Sequence, residues 1–273
     1  MRRRSLPPSL VVARYAVARM LAGRRFRQAY ILALAPPTVA LAILYVLSSA
    51  PLIEQLGIRG PAAGDAALAV FRALFRWQAF AAFVLAALGG PEIVSPDLVD
   101  GGLPLLLARP LGRWGYVRGK VGGVMALLAP VTWGSGLLVW LLAAGLLSDG
   151  WWRGHLAVAG AILGGHILWT AELALLVLAT SAWVRNRSAA QGLMLGILMV
   201  LTSVGAISAQ VLHNELLTLV SPPMAVAALV APALGSTRVP AGLGPAACLA
   251  SATLVAICLA VLMARLRAAE VVR

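Results

Sequence analysis

Between Val121 and Ser148 the chain carries no Asp, Glu, Lys or Arg, and two further stretches, Ala29 to Leu52 and Ala189 to Leu212, are equally free of charge. An apolar run of this length crosses a bilayer as a helix, because about 20 residues at helical rise span the hydrocarbon core. In water it could only be hidden inside a much larger protein. Composition removes that option, since 61% of the 273 residues are hydrophobic and 11% charged, with a mean hydropathy of +0.93. A soluble domain of this size cannot cover so much apolar surface. Spanning strands would alternate polar and apolar residues over about ten positions, and these runs do not alternate. The sequence therefore predicts an all-α integral membrane protein.

Charge sets the topology. The net charge of +13 would suggest nucleic acid in a soluble protein, but here the bases gather at the ends of apolar runs, as the positive-inside rule describes. No nucleic-acid partner is expected. Bases fill the N-terminal arm, the stretch from Arg109 to Lys120, the Arg185 to Arg187 turn and the tail after Ala264. The opposite loops hold only Arg59, Arg153 and Arg238. Both termini are thus expected in the cytoplasm, with six transmembrane helices between them: Ala29 to Leu52, one centred on Trp77 to Val94, Val121 to Ser148, His155 to Val184, Ala189 to Leu212, and Leu243 to Ala264.

Finer features follow from local signals. Residues 1–28 read as a basic interfacial helix entered through Pro7 and Pro8, of modest amphipathicity, with one apolar stripe at Val11, Tyr15, Ala18, Ala22 and Phe26 and a second at Leu10, Val17 and Leu21. The N-terminus lacks the compact apolar region of a secretory signal, so the first span is expected to stay in the mature protein. Pro36 and Pro37 should kink that span, and Pro130 and Gly134 should disturb the third. Arg72 and Arg76 are expected to snorkel to the outer interface beside Trp77. Pro222, Pro223 and Pro232 break residues 213–240 into short pieces, read as an outer re-entrant segment. Residues 29–264 form a single membrane domain, and 265–273 a cytoplasmic tail.

Chemistry of its own is sparse in this chain. It contains no HExxH, GxSxG or CxxC pattern, and His155, His166 and His213 are far apart, so no metal site and no catalytic residues are assigned. Cys248 and Cys258 share one apolar run and read as small apolar side chains. Gly115, Gly119 and Lys120 look superficially like a phosphate loop. The pattern fails, because Trp114 stands where a glycine is needed and Val121 where a hydroxyl is needed. Glu172 is the exception within the spans. A carboxylate at mid-bilayer costs several kcal/mol, so Glu172 is either a residue of a translocation path or a helix contact satisfied by a neighbour. His166 lies about 240° round the helix from it and is a poor partner.

Residues 91–120 interrupt the spans with three acids and four bases. Ser95, Pro96 and Asp97 form a helix start, with a side-chain cap, a proline at the first helical position and an acid at the positive helix end. Gly101 and Gly102 can stop it after little more than one turn. Gly90, Pro91, Ile93, Ser95, Asp97 and Leu98, followed by Leu103, Leu105, Leu106, Arg109, Pro110, Arg113, Tyr116, Gly119 and Lys120, closely resemble the loop between the second and third spans of ABC-2 type transporter permeases. Isoleucine at position 93 replaces the leucine of that pattern. The six-span plan, the basic N-terminal helix and the broken segment before the last span extend the resemblance over most of the chain.

The resemblance implies the membrane subunit of an ATP-binding cassette exporter in a prokaryotic inner membrane, working as a homodimer or heterodimer. Two copies of a separate ATPase subunit would bind ATP and Mg2+, and this chain would carry no cofactor. The coupling residues implied are Ser95, Pro96, Asp97, Leu98, Asp100, Arg109, Pro110, Arg113, Tyr116 and Lys120. A weakly charged interior favours a hydrophobic or amphipathic substrate, with membrane lipids as the surroundings. The competing reading is an ATP-independent scaffold or an ion-coupled carrier using Glu172.

Overall fold

The computed structural model describes residues 7–49, 60–90, 112–147, 150–184, 186–236 and 242–271, and among these every regular element is a helix. Six helical stretches are long and apolar enough to cross a membrane: Arg24–Ser48, Ala66–Gly89, Gly112–Leu146, Leu156–Trp183, Ser188–Val211 and Gly244–Arg267, called spans 1 to 6. The chain is thus a multi-pass membrane protein of helical build. The end of the bundle holding the starts of spans 1, 3 and 5 is the basic end; the other is the far end.

Helix α1, Pro8–Ala22, precedes the bundle. Gly23 is extended (φ −71°, ψ 123°) and breaks the helix before span 1 begins. Span 1 is itself two helices, α2 (Arg24–Leu32) and α3 (Ala35–Ser48), with the bend at Ala33 and Leu34. Pro36 and Pro37 fall in the first turn of α3, where a missing N–H costs no intrahelical bond. Span 2 is α4, Gly60–Gly89.

Span 3 consists of α5 (Gly112–Leu128) and α6 (Ser135–Leu146), joined by a π-helical turn at Pro130–Gly134. Pro130 cannot donate to the helical ladder, and the backbone responds at Thr132, whose φ −104° and ψ −107° are not helical. The Gly134 N–H reaches back five residues to the Ala129 carbonyl at 2.8 Å. The irregularity expected at Pro130 and Gly134 is present.

Span 4, α7 (Leu156–Trp183), is the centre of the bundle and packs against spans 2, 3, 5 and 6. Within its most apolar window 67% of residues are buried, against 22% in spans 5 and 6. Span 5 is α8 (Arg187–Val211), begun by an Asn186 side chain that accepts from the Ser188 and Ala189 amides. A 3-10 turn, Glu215–Val220, and the short helix α9, Pro222–Val230, follow it and pack on spans 4 to 6. Span 6 lies within α10, Gly244–Val271.

Candidate functional site

At the basic end α1 lies along the first half of span 3. Its buried residues are Val12, Ala16 and Met20, a stripe at steps of four. Val11 and Tyr15 of the first expected stripe and Leu10 of the second are exposed instead. The reason lies on the partner helix. A Cβ at Gly119 would stand 2.7 Å from the Ser9 carbonyl oxygen, and one at Gly123 would stand 2.9 Å from the Ala13 carbonyl oxygen. Two glycines four residues apart let the backbones touch, as small residues do between membrane helices. Val12 packs against Gly119 and Ala16 against Gly123.

The same helix reaches the end of span 2. A Cβ at Gly89 would collide with the Met20 side chain and lie 2.9 Å from the Phe26 ring. Gly90 in turn abuts Val177 of span 4. Residues 91–111 therefore leave from a turn held by α1 and span 4, and the chain returns into a helix held by α1. Ser95, Pro96, Asp97, Leu98, Asp100, Arg109 and Pro110 lie outside the described residues.

Of the predicted coupling residues, Arg113, Tyr116 and Lys120 are described. Arg113 is half-buried, whereas Tyr116 and Lys120 are fully enclosed. The Lys120 ammonium lies 5.4 Å from the centre of the Tyr116 ring and 5.9 Å from that of Tyr15 on α1. Such a cation between two aromatic faces gains attraction from both rings. All three residues make further contacts. The two tyrosines and the lysine thus fasten α1 to span 3 beside the glycine contact.

Glu172 lies elsewhere, deep between spans 4 and 6. It is 2% exposed, and neither carboxylate oxygen has a hydrogen-bond partner among the described residues. Ser251 of span 6 is close enough to interact with it, yet its buried hydroxyl also completes no hydrogen bond. Cys258 is buried two turns further along span 6 and lies within electrostatic reach of the carboxylate. His166 belongs to a different neighbourhood: its Nδ1 is 2.9 Å from the Ile162 carbonyl, and its ring is 4.2 Å from that of Phe75.

Two polar residues that sequence reasoning passed over hold the span 3 bend. Gln78 of span 2 is buried and donates through Nε2 to the Thr132 carbonyl (3.0 Å) and the Ser135 hydroxyl (2.9 Å). Tyr30 of span 1 donates to the Leu127 carbonyl at 2.9 Å. A glutamine amid the apolar residues of span 2 was the available signal, because a buried amide needs partners. At the far end, Arg72 does more than reach toward an interface. It donates to the Leu234 and Gly235 carbonyls at 2.9 Å, tying span 2 to the chain just past α9. Arg76 is exposed and donates to the Arg72 carbonyl at 3.3 Å.

No family model matches the chain, and no curated protein matches it. The likeness to ABC-2 type permeases rests on the residues of the chain itself.

Proposed function

We propose that the chain is the membrane-spanning permease subunit of an ABC-2 type exporter, driven by a separate ATPase subunit that binds ATP and Mg2+. The observation that carries this reading is the hold of one basic helix, α1, on both flanks of residues 91–111. A push on that segment would be delivered to spans 2 and 3 together, and through Gly90 and Val177 to the central span 4. Domain movement relayed by packed helices of this kind is a common switching mode. The basic end faces the cytoplasm in this reading, as the excess of arginines there requires. Two copies of the chain, or this chain with a second permease, would enclose the path for a hydrophobic or amphipathic substrate in a prokaryotic inner membrane.

Co-purification with an ABC ATPase tests the proposal. Exchange of Asp97 and Leu98 for alanine should abolish the association or the substrate-stimulated ATP hydrolysis. Unchanged coupling in that variant would overturn the assignment of 91–111.

Glu172, whose carboxylate completes no hydrogen bond among the described residues, favours a second reading, an ion-coupled carrier. In that case Glu172→Gln abolishes transport in a preparation that binds no ATPase. Normal transport by the same variant in an ATPase-bound preparation removes the reading.

A further inference from the structure

A second constellation at the basic end lies apart from the α1 contact with span 3. Where the start of α2, the last turns of span 2 and the first turn of span 5 meet, a pocket of about 440 Å3 is lined by Arg24, Arg25, Phe26, Leu88, Ser188 and Gln191. Both arginines are exposed; of the carboxylates whose side chains are described, Glu172 sits against span 6 and Glu215 follows span 5 at the far end. The amides of Ser188 and Ala189 are already taken by Asn186, and Gln191 Nε2 is turned to the Leu88 carbonyl at 3.3 Å. The two guanidinium groups and the Ser188 hydroxyl are left as the donors of the pocket. Guanidinium pairs of this sort match phosphate oxygens.

An apolar groove of about 810 Å3 runs between spans 1 and 2, lined among others by Ala29, Leu32, Trp77, Ala81 and Leu85. On α2 the order Arg25, Ala29, Leu32 advances by four and three residues; on α4 the order Leu88, Leu85, Ala81 retreats by three and four. Residues so spaced share one helix face. The basic pocket therefore stands at the head of the groove on both helices. A ligand that fills the two together has a negatively charged head and a long apolar tail. The basic end is also where a spanning helix meets anionic headgroups.

We propose that this face is a binding site for an anionic phospholipid, its phosphate on Arg24 and Arg25 and an acyl chain between spans 1 and 2. The test presents delipidated, detergent-purified protein with phosphatidylglycerol or phosphatidylcholine and reads retained lipid by native mass spectrometry. Phosphatidylglycerol should be retained about thirtyfold better, given roughly 1 kcal/mol for each of the two basic side chains at an anionic surface. The Arg24→Gln/Arg25→Gln variant should lose that preference while melting like the unaltered protein, since both side chains are exposed. Ala81→Trp, which fills the groove, should weaken retention of both lipids. Equal retention of the two lipids, or a preference that survives loss of both arginines, overturns the proposal. So does phosphatidylglycerol that is displaced by inorganic phosphate and unaffected by Ala81→Trp, which marks a free-anion site. A stable dimer that shields Ala81 from lipid would assign the groove to a second copy instead.

Discussion

Lys120 and Glu172 are both ionisable, both almost fully buried, and solved in opposite ways. Lys120 sits at the basic end between two tyrosine rings, one from each of the helices it joins. Glu172 sits at mid-span facing a serine with which it completes no hydrogen bond. The contrast separates a charge used as a fastener from a carboxyl group kept unfastened. A buried polar group that is satisfied stabilises its contact, whereas one left unsatisfied costs about 1–3 kcal/mol and persists where some other demand holds it.

The largest expected effect breaks the first side of the comparison at its foundation. Gly119→Leu places a side chain against the Ser9 backbone, which cannot swing aside as a side chain would. Overpacking of this kind costs about 1–3 kcal/mol, and the expected outcome is detachment of α1. Limited proteolysis at the α1 arginines should accelerate, with a lower melting temperature in detergent. Unchanged proteolysis would show that the glycine contact does not hold α1.

Glu172→Leu combined with Ser251→Ala tests the other side, and its sign is reversed. Removing both unsatisfied groups should leave stability unchanged or raise it by about 1–2 kcal/mol, read as the melting temperature. A marked loss would reveal a partner for the carboxyl group. A gain in stability accompanied by loss of transport would give the residue a role in function.

Lys120→Met keeps the aliphatic stem and removes the cation. It should weaken α1 docking by about 1–2 kcal/mol, visible in the same proteolysis assay. Gln78→Leu is the mildest, at about 1 kcal/mol, because it removes the two donors that hold the Thr132 carbonyl and the Ser135 hydroxyl. If the melting temperature falls more for Gln78→Leu than for Lys120→Met, the span 3 bend outweighs the α1 contact as a point of stability.

The comparison also shows where the sequence was legible. Six spans could be read because charge-free runs answer to a single demand, that of the bilayer. The breaks just before Pro36 and at Pro130 could be read because proline restricts the backbone around it. The face of α1 could not, because it is chosen by Gly119 and Gly123 on another helix, and nothing in the sequence of α1 names them. The Glu172 neighbourhood was hidden for the same reason: nothing in span 4 names Ser251 as its counterpart. The stretch that carries most of the permease-like pattern, 91–111, lies outside the described residues, so its flanks and not its own shape speak for it.

The π turn at Pro130–Gly134 has a consequence for phase. With Thr132 outside the helical region, the turn is a kink between two helices, so the residues after it do not continue the phase of those before it. Leu128 and the residues before it present their faces to α1 and span 4, while α6 beyond the turn presents its own to α3. A single uninterrupted helix would have carried one stripe past both sets of neighbours. The kink divides span 3 into two separately aimed rods, with the amide of Gln78 at the joint between them.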